Sequence, residues 1–127
     1  MEDALETLHD QPRGGPVPAY VVANYTITNP ESIESYGRHS VASIERHGGE
    51  ILVADFESEP MEGEPGHATV VIRFDDKFAA KAWYDSADYR SIIDRRLDNS
   101  FGIMTLSQTG ASGPSFELER PLDMDDI

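Results

Sequence analysis

Two helix patterns, each set between short runs of β-branched and aromatic residues, constrain this chain more than any other feature. The first opens at Asn29-Pro30-Glu31 and closes at Gly48-Gly49. Asn is a favoured N-cap, Pro fits the first helical position, and an acid in the first turn suits the helix dipole. Ile33, Tyr36, Gly37, Val41, Ile44 and Gly48 approximate one helical stripe, leaving Arg38, Glu45 and Arg46 for water. Gly48 or Gly49 supplies the left-handed residue that ends the helix. The second pattern starts after Asp75 or Asp76, either of which can cap it, with Ala79, Ala82 and Trp83 as its buried stripe. Ser86 then caps a further turn carrying Tyr89, Ile92 and Ile93.

The flanking runs read as strands. Tyr20–Thr28 places Val21, Ala23, Tyr25 and Ile27 on one face and Tyr20, Val22, Asn24 and Thr26 on the other. Glu50–Asp55 is a short second strand. A polar stretch over 57–66, punctuated by Pro60, Gly63, Pro65 and Gly66, is a loop or a long hairpin connection. His67–Phe74 sets Val70, Ile72 and Phe74 against Thr69, Val71 and Arg73, and Phe101–Ser107 is the fourth strand. The order β-α-β-β-α-β predicts an α+β, ferredoxin-like antiparallel sheet with helices on one face. The other face is half apolar, through Val22, Val71, Leu52 or Val53, and Ile103 or Met104. Such a face predicts a partner, and a second copy would close a homodimeric α/β barrel.

The organisation expected is an acidic, Pro/Gly-containing arm over 1–18, the folded domain over 19–107, and an acidic tail over 108–127. Leu5 and Leu8 can form one helical turn, and Phe116, Leu118 and Leu122 can dock on a neighbouring surface. The chain holds 24 acids against 10 Lys and Arg, a net charge of −14. Phosphate backbones and anionic membrane surfaces are repelled, so neither nucleic acid nor a membrane is expected as a partner. Cysteine is absent, which removes disulfides and thiolate chemistry. The acidic start lacks a signal-peptide pattern and no apolar run reaches membrane length, so the expected location is cytoplasmic.

Several segments together carry a resemblance: Tyr25-Thr26-Ile27-Thr28-Asn29-Pro30-Glu31, Tyr36-Gly37, His47-Gly48-Gly49-Glu50-Ile51-Leu52, Glu62-Gly63, Val71-Ile72-Arg73-Phe74, and Ala80-Lys81-Ala82-Trp83-Tyr84-Asp85-Ser86-Ala87-Asp88-Tyr89 followed by Arg96. From about residue 19 to 107 the chain resembles domain-of-unknown-function family 1330. The resemblance implies the dimeric α/β-barrel, ferredoxin-like fold and no established activity. Family members usually carry Pro where Ala87 stands and an apolar residue where Lys77 stands; Phe78 is expected to take over that packing.

Chemistry is less determined. His9, His39, His47 and His67 have no metal-motif spacing, so neither a metal nor a cofactor is expected. His47 sits at a helix end. Trp83 falls on the apolar stripe, whereas Tyr84 and Tyr89 can line a ligand pocket or simply pack. Arg96 can bind a substrate carboxylate or pair structurally with Glu62 or Asp94. Arg73 and Asn24, on the uncovered sheet face, are further ligand-binding candidates, although Asn24 can equally satisfy backbone groups. Glu62 or His47 can move a proton. By analogy with similar barrels, the expectation is a cofactor-independent, monooxygenase- or isomerase-like enzyme acting on a small organic ligand in a cleft next to the dimer interface. The alternative is a non-catalytic ligand-binding or structural dimer.

Overall fold

In the computed structural model, residues 17–110 are described. The arm, apart from its last two residues, and most of the tail lie outside them, as do the Leu5–Leu8 turn and the docking of Phe116, Leu118 and Leu122.

The elements run β1 (Ala19–Ile27), α1 (Pro30–Arg46), β2 (Glu50–Asp55), β3 (Ala68–Phe74), α2 (Lys77–Asp85), α3 (Ala87–Arg90), α4 (Ile93–Leu97) and β4 (Ser100–Gln108). The four strands form one sheet in the order β2-β3-β1-β4, with every neighbouring pair antiparallel. This is the expected ferredoxin-like arrangement. The local signals that open and close the helices act as chemistry requires. Asn29 Oδ1 accepts from Ser32 N, and Asp76 Oδ1 accepts from Ala79 N at 2.8 Å. Gly48, at φ 75°, takes the left-handed conformation after α1. Ser86 Oγ accepts from Tyr89 N and donates to Trp83 O at 2.7 Å, so one hydroxyl ends α2 and starts α3.

Cross-strand register fixes the faces. Val21, Ala23, Tyr25, Ile72 and Phe74 are buried beneath the helices, joined by Met104 opposite Ala23. A bulge between Ile51 and Val53 leaves Leu52 out of the ladder. It keeps Ile51 opposite Ile72 on the helix side and turns Val53 to the open side opposite Val71. The open face therefore presents Val22, Val53, Val71, Ile103 and Phe101 around Asn24 and Arg73.

Two helical phases differ from expectation. In α2 the buried residues are Ala80 and Trp83, while Ala82 is exposed. Phe78 is 83 % exposed and does not replace the apolar residue expected at position 77. Trp83 fixes the phase: its indole is fully enclosed, 4.2 Å from Tyr89 and 5.6 Å from Phe74 between ring centroids. That anchor turns Ala82, one position earlier, away from the core. In α1 the stripe is Ile33, Tyr36, Ser40, Ser43 and Ile44, with Val41 exposed.

The helix layer is uneven. α2 packs closely on β1, β3 and β4, whereas α1 packs mainly on α4 and α3. Small residues explain the gap between α1 and the strands. Gly37 and Ser40 face inward from α1, opposite Ala23 and Ala54, and a Cβ added to Gly37 would meet nothing within 4 Å. No helix among the described residues is long and apolar enough to cross a membrane.

Candidate functional site

The gap between α1 and the sheet is a cavity of about 580 Å³, a size usual for small-molecule sites. Its walls are mainly apolar, with Val21, Ile33, Ile44, Ile72, Trp83 and Met104 among them. The exposed lining residues Glu34, Val41, Phe56 and His67 mark its rim. Tyr25 and Tyr36, both buried, contribute phenolic hydroxyls to it, beside Ser40, whose Oγ is spent on Gly37 O.

Behind these tyrosines stands a buried cation. Arg96, from α4, is 8 % exposed. Its Nε donates to Tyr89 Oη at 3.3 Å, and the Tyr89 and Tyr36 hydroxyls are 2.6 Å apart. The guanidinium carbon lies 5.9 Å from the centre of the Tyr36 ring, within cation–π range. Among the described residues, the arginine–carboxylate pairs are Arg46–Asp88, Arg73–Asp75 and Arg90–Asp85. Arg96 has no carboxylate partner among the described residues, and tyrosine hydroxyls stand where an ion pair with Glu62 or Asp94 was expected. A buried charge without a counter-ion is costly, which makes this the least conventional feature of the core.

The electrostatics are mutually consistent. Burial raises the Tyr36 hydroxyl far above its ordinary value, and the Tyr89 oxygen beside it adds to the rise, while Arg96 opposes it. Tyr25 is raised by burial, again with Arg96 in opposition. For Arg96, burial favours proton loss, but the nearby Tyr89 and Tyr36 oxygens outweigh it and the guanidinium holds its proton more tightly than usual. All three groups stay in their ordinary protonation states at neutral pH: two hydroxyls and one cation.

The other candidates lie elsewhere. Asn24 and Arg73 are on the open face, on the far side of the sheet from Tyr89 and Arg96, so the expected set does not converge. Asn24 Oδ1 accepts from Gly66 N at 2.7 Å, and its Nδ2 donates to Gly66 O at 3.0 Å, with Ala68 O and Thr69 Oγ1 close by. The amide clamps the loop that leads into β3. Arg73 stands 3.6 Å from Asp75. Tyr84 lies under the Arg90 guanidinium, 4.3 Å from its ring centre, and lines a separate cavity of about 290 Å³ between α2 and β4. His47 Nδ1 donates to Ser43 O at 2.8 Å as a helix cap. Glu62 is exposed in its loop. No group of three or more His, Asp or Glu side chains able to hold a metal occurs among the described residues.

Tyr25 and Tyr36 are the site residues that sequence reasoning missed. Both fall on apolar stripes, where an aromatic ring reads as core. Trp83 serves both ends: it packs in the core, lines the cavity, and donates from Nε1 to Ser43 Oγ at 3.0 Å.

Comparison with solved structures finds the same fold in proteins of low sequence identity. RPA0582 from Rhodopseudomonas palustris, a protein of unknown function, is 15% identical, with a TM-score of 0.62 over 89% of this chain and 97% of that one. SnoaB from Streptomyces nogalater, a cofactor-independent oxygenase, is 13% identical, with a TM-score of 0.56 over 80% of this chain and 98% of that one. A comparison with curated protein sequences finds no significant match. The family model described as domain of unknown function DUF1330 matches residues 18–108, and the chain belongs to that family.

Proposed function

We propose that this protein binds a small, largely apolar organic molecule between α1 and the sheet and transforms it there without a cofactor, as an isomerase- or monooxygenase-like enzyme. The observation that carries the reading is an apolar cavity of about 580 Å³ whose enclosed hydroxyls are backed by a buried arginine with no carboxylate partner among the described residues. Apolar walls supply affinity and a few convergent polar groups supply orientation. Preorganised donors backed by a positive charge suit a substrate oxygen on which negative charge develops. In an isomerisation that oxygen would become an enolate while a proton moves. In an oxygenation the electron-rich substrate would itself reduce O₂. The fold shared with a cofactor-independent oxygenase is an analogy that favours this class.

The protein would work as a homodimer, its open face of Val22, Val53, Val71, Ile103 and Phe101 covered by a second copy. The cavity lies on the helix side of the sheet, so this reading moves the reaction away from a cleft at the dimer seam. A second reading, a binding protein without turnover, draws on the exposure of Glu34 and His67, the ionisable groups of the described lining besides the tyrosines.

A thermal-shift screen against aromatic lactones, quinones and small aromatic carboxylates tests the proposal, followed by product analysis on each hit. Stabilising hits that are consumed, and whose turnover falls in Arg96→Ala, support the enzyme. Stabilisation without product favours the binding protein. The absence of any hit would refute the cavity as a ligand site. Light scattering tests the dimer, and a monomer at micromolar concentration would overturn it.

A further inference from the structure

Hydrogen accounting gives the tyrosine-lined wall of the cavity a polarity. A guanidinium can only donate, so Tyr89 Oη accepts from Arg96 Nε. Tyr89 is fully enclosed, and the acceptor within reach of its single proton is Tyr36 Oη at 2.6 Å. Placing the shared proton on Tyr89 gives that enclosed hydroxyl its partner and leaves the proton of Tyr36, the one of the two that lines the cavity, to be spent there. Tyr36 becomes an acceptor from within the protein, and its own O–H has no acceptor among the described residues. The second hydroxyl is in the same position. Tyr25 is 6 % exposed, lines the same cavity, and its hydroxyl makes no hydrogen bond among the described residues; no buried side-chain oxygen among them lacks a partner, so this hydroxyl is open to solvent. Two unspent donors thus line one wall, with the Arg96 guanidinium behind them and outside the lining, while the carboxylate of the described lining, Glu34, is exposed at the rim.

We infer that this wall, two hydroxyls backed by a cation, takes its ligand through a negatively charged oxygen bearing no hydrogen, a carboxylate or a phenolate or enolate carried on a planar apolar body. The inference rests on the cavity reading above and specifies the charge class of the ligand. A neutral hydroxyl or amine on the ligand can donate to a tyrosine oxygen, but it leaves the Arg96 charge uncompensated. An anionic oxygen accepts both hydroxyl protons and supplies the charge that Arg96 lacks. Donors backed by a cation make short, strong bonds to such an oxygen.

Three naphthalenes that differ in one substituent test it: 2-naphthoate, its neutral isostere 2-naphthamide, and 2-naphthol, each titrated calorimetrically at pH 7. The expected result is 2-naphthoate bound at least about tenfold more tightly than the amide, as a charge-assisted hydrogen bond implies. Tyr25→Phe should cut that preference by about tenfold without lowering the melting temperature, because the hydroxyl has no partner in the fold. Tyr36→Phe should cut it likewise, and Arg96→Gln should abolish it. Equal affinity for acid and amide, or a preference untouched in both tyrosine variants, would overturn the inference and leave the cavity reading standing. Binding of no probe at millimolar concentration would overturn both. The 2-naphthol arm separates the sources of the anion. Binding that releases a proton to the buffer extends the socket to phenolates and enolates, and no binding beside tight 2-naphthoate narrows it to carboxylates. Binding of 2-naphthol without proton release would mean a neutral phenol is accepted, which overturns the inference.

Discussion

Gly37 offers the sharpest test of whether α1 truly stands off the sheet. It lies in the middle of a 17-residue helix, where glycine costs about 0.8–1.0 kcal/mol relative to alanine because it loses more backbone freedom on folding. In a tightly packed helix interface that cost is often the lesser evil, since a methyl group would collide with the facing element. Here an added Cβ meets nothing within 4 Å, so the propensity gain has no steric penalty to offset it. Gly37→Ala should therefore stabilise the protein by about 0.8 kcal/mol and raise its Tm by a few degrees, roughly 4 °C for a domain of this size. Urea unfolding followed by circular dichroism is the assay, and the midpoint should rise with the slope unchanged. Gly37→Leu extends the argument: the larger side chain has room to fold into the cavity, so the protein should remain folded while losing ligand binding. Destabilisation of Gly37→Ala by about 1 kcal/mol would mean that the space beneath α1 is already filled, and the whole reading of the cavity would fall with it.

Three further outcomes are expected. Asn24→Ala should cost about 2 kcal/mol, because it removes a two-way clamp on Gly66 and leaves backbone groups at the start of β3 without partners; a change within about 0.5 kcal/mol in urea unfolding would contradict this. Ser86→Ala removes the hydroxyl that both ends α2 and starts α3, so a loss of about 1 kcal/mol is expected, with hydrogen exchange quickening at Tyr89 N; unaltered exchange there would count against the double cap. Stability should also fall on the alkaline side. An unfolded tyrosine ionises near pH 10, and burial, then the Tyr89 neighbour, holds the folded Tyr36 protonated well above that. The contribution is fully present below about pH 10 and is lost as the pH rises through the folded value. Melting curves between pH 8 and pH 11 should therefore decline less steeply for Tyr36→Phe than for the wild type, and parallel declines would refute the assignment.

The fold was legible because its signals are local. Asn29-Pro30, Asp76 and Ser86 each act within three residues of their own position, and period-two alternation assigned Val21, Ala23 and Tyr25 to the buried side of β1. The bulge at Leu52 was not legible, so Leu52 and Val53 stayed interchangeable until the register separated them. The candidate site was legible only in part. Arg96 and Tyr89 were singled out, but their arrangement depends on a hydroxyl contact between Tyr36 and Tyr89, 53 residues apart, which no spacing rule encodes. Composition misled as well: in so acidic a chain a carboxylate partner for Arg96 is the natural expectation, yet among the described residues no carboxylate pairs with it and the arginine is held among tyrosines. Asn24 and Arg73 were grouped with Tyr89 although alternation puts them on the opposite side of the sheet. A signal for the cavity did exist, in Gly37 on the inward stripe of α1 and Ala23 on the facing strand.

Trp83 gives the protein an optical property that follows from its position. It is the one tryptophan in the chain, its indole is fully enclosed, and it forms part of the cavity wall with its N–H held by Ser43. Light absorbed at the red edge of the protein spectrum is therefore emitted from a single rigid site beside the cavity, at the short wavelengths of a dry indole. A molecule entering beneath α1 changes the packing and polarity around that ring and alters its emission without any label. The same indole lies 4.2 Å from the Tyr89 ring, so excitation of that tyrosine also drains into it, and its intensity reports whether the Tyr89–Arg96 cluster is still assembled. The fold thus contains its own spectroscopic reporter for occupancy of the cavity.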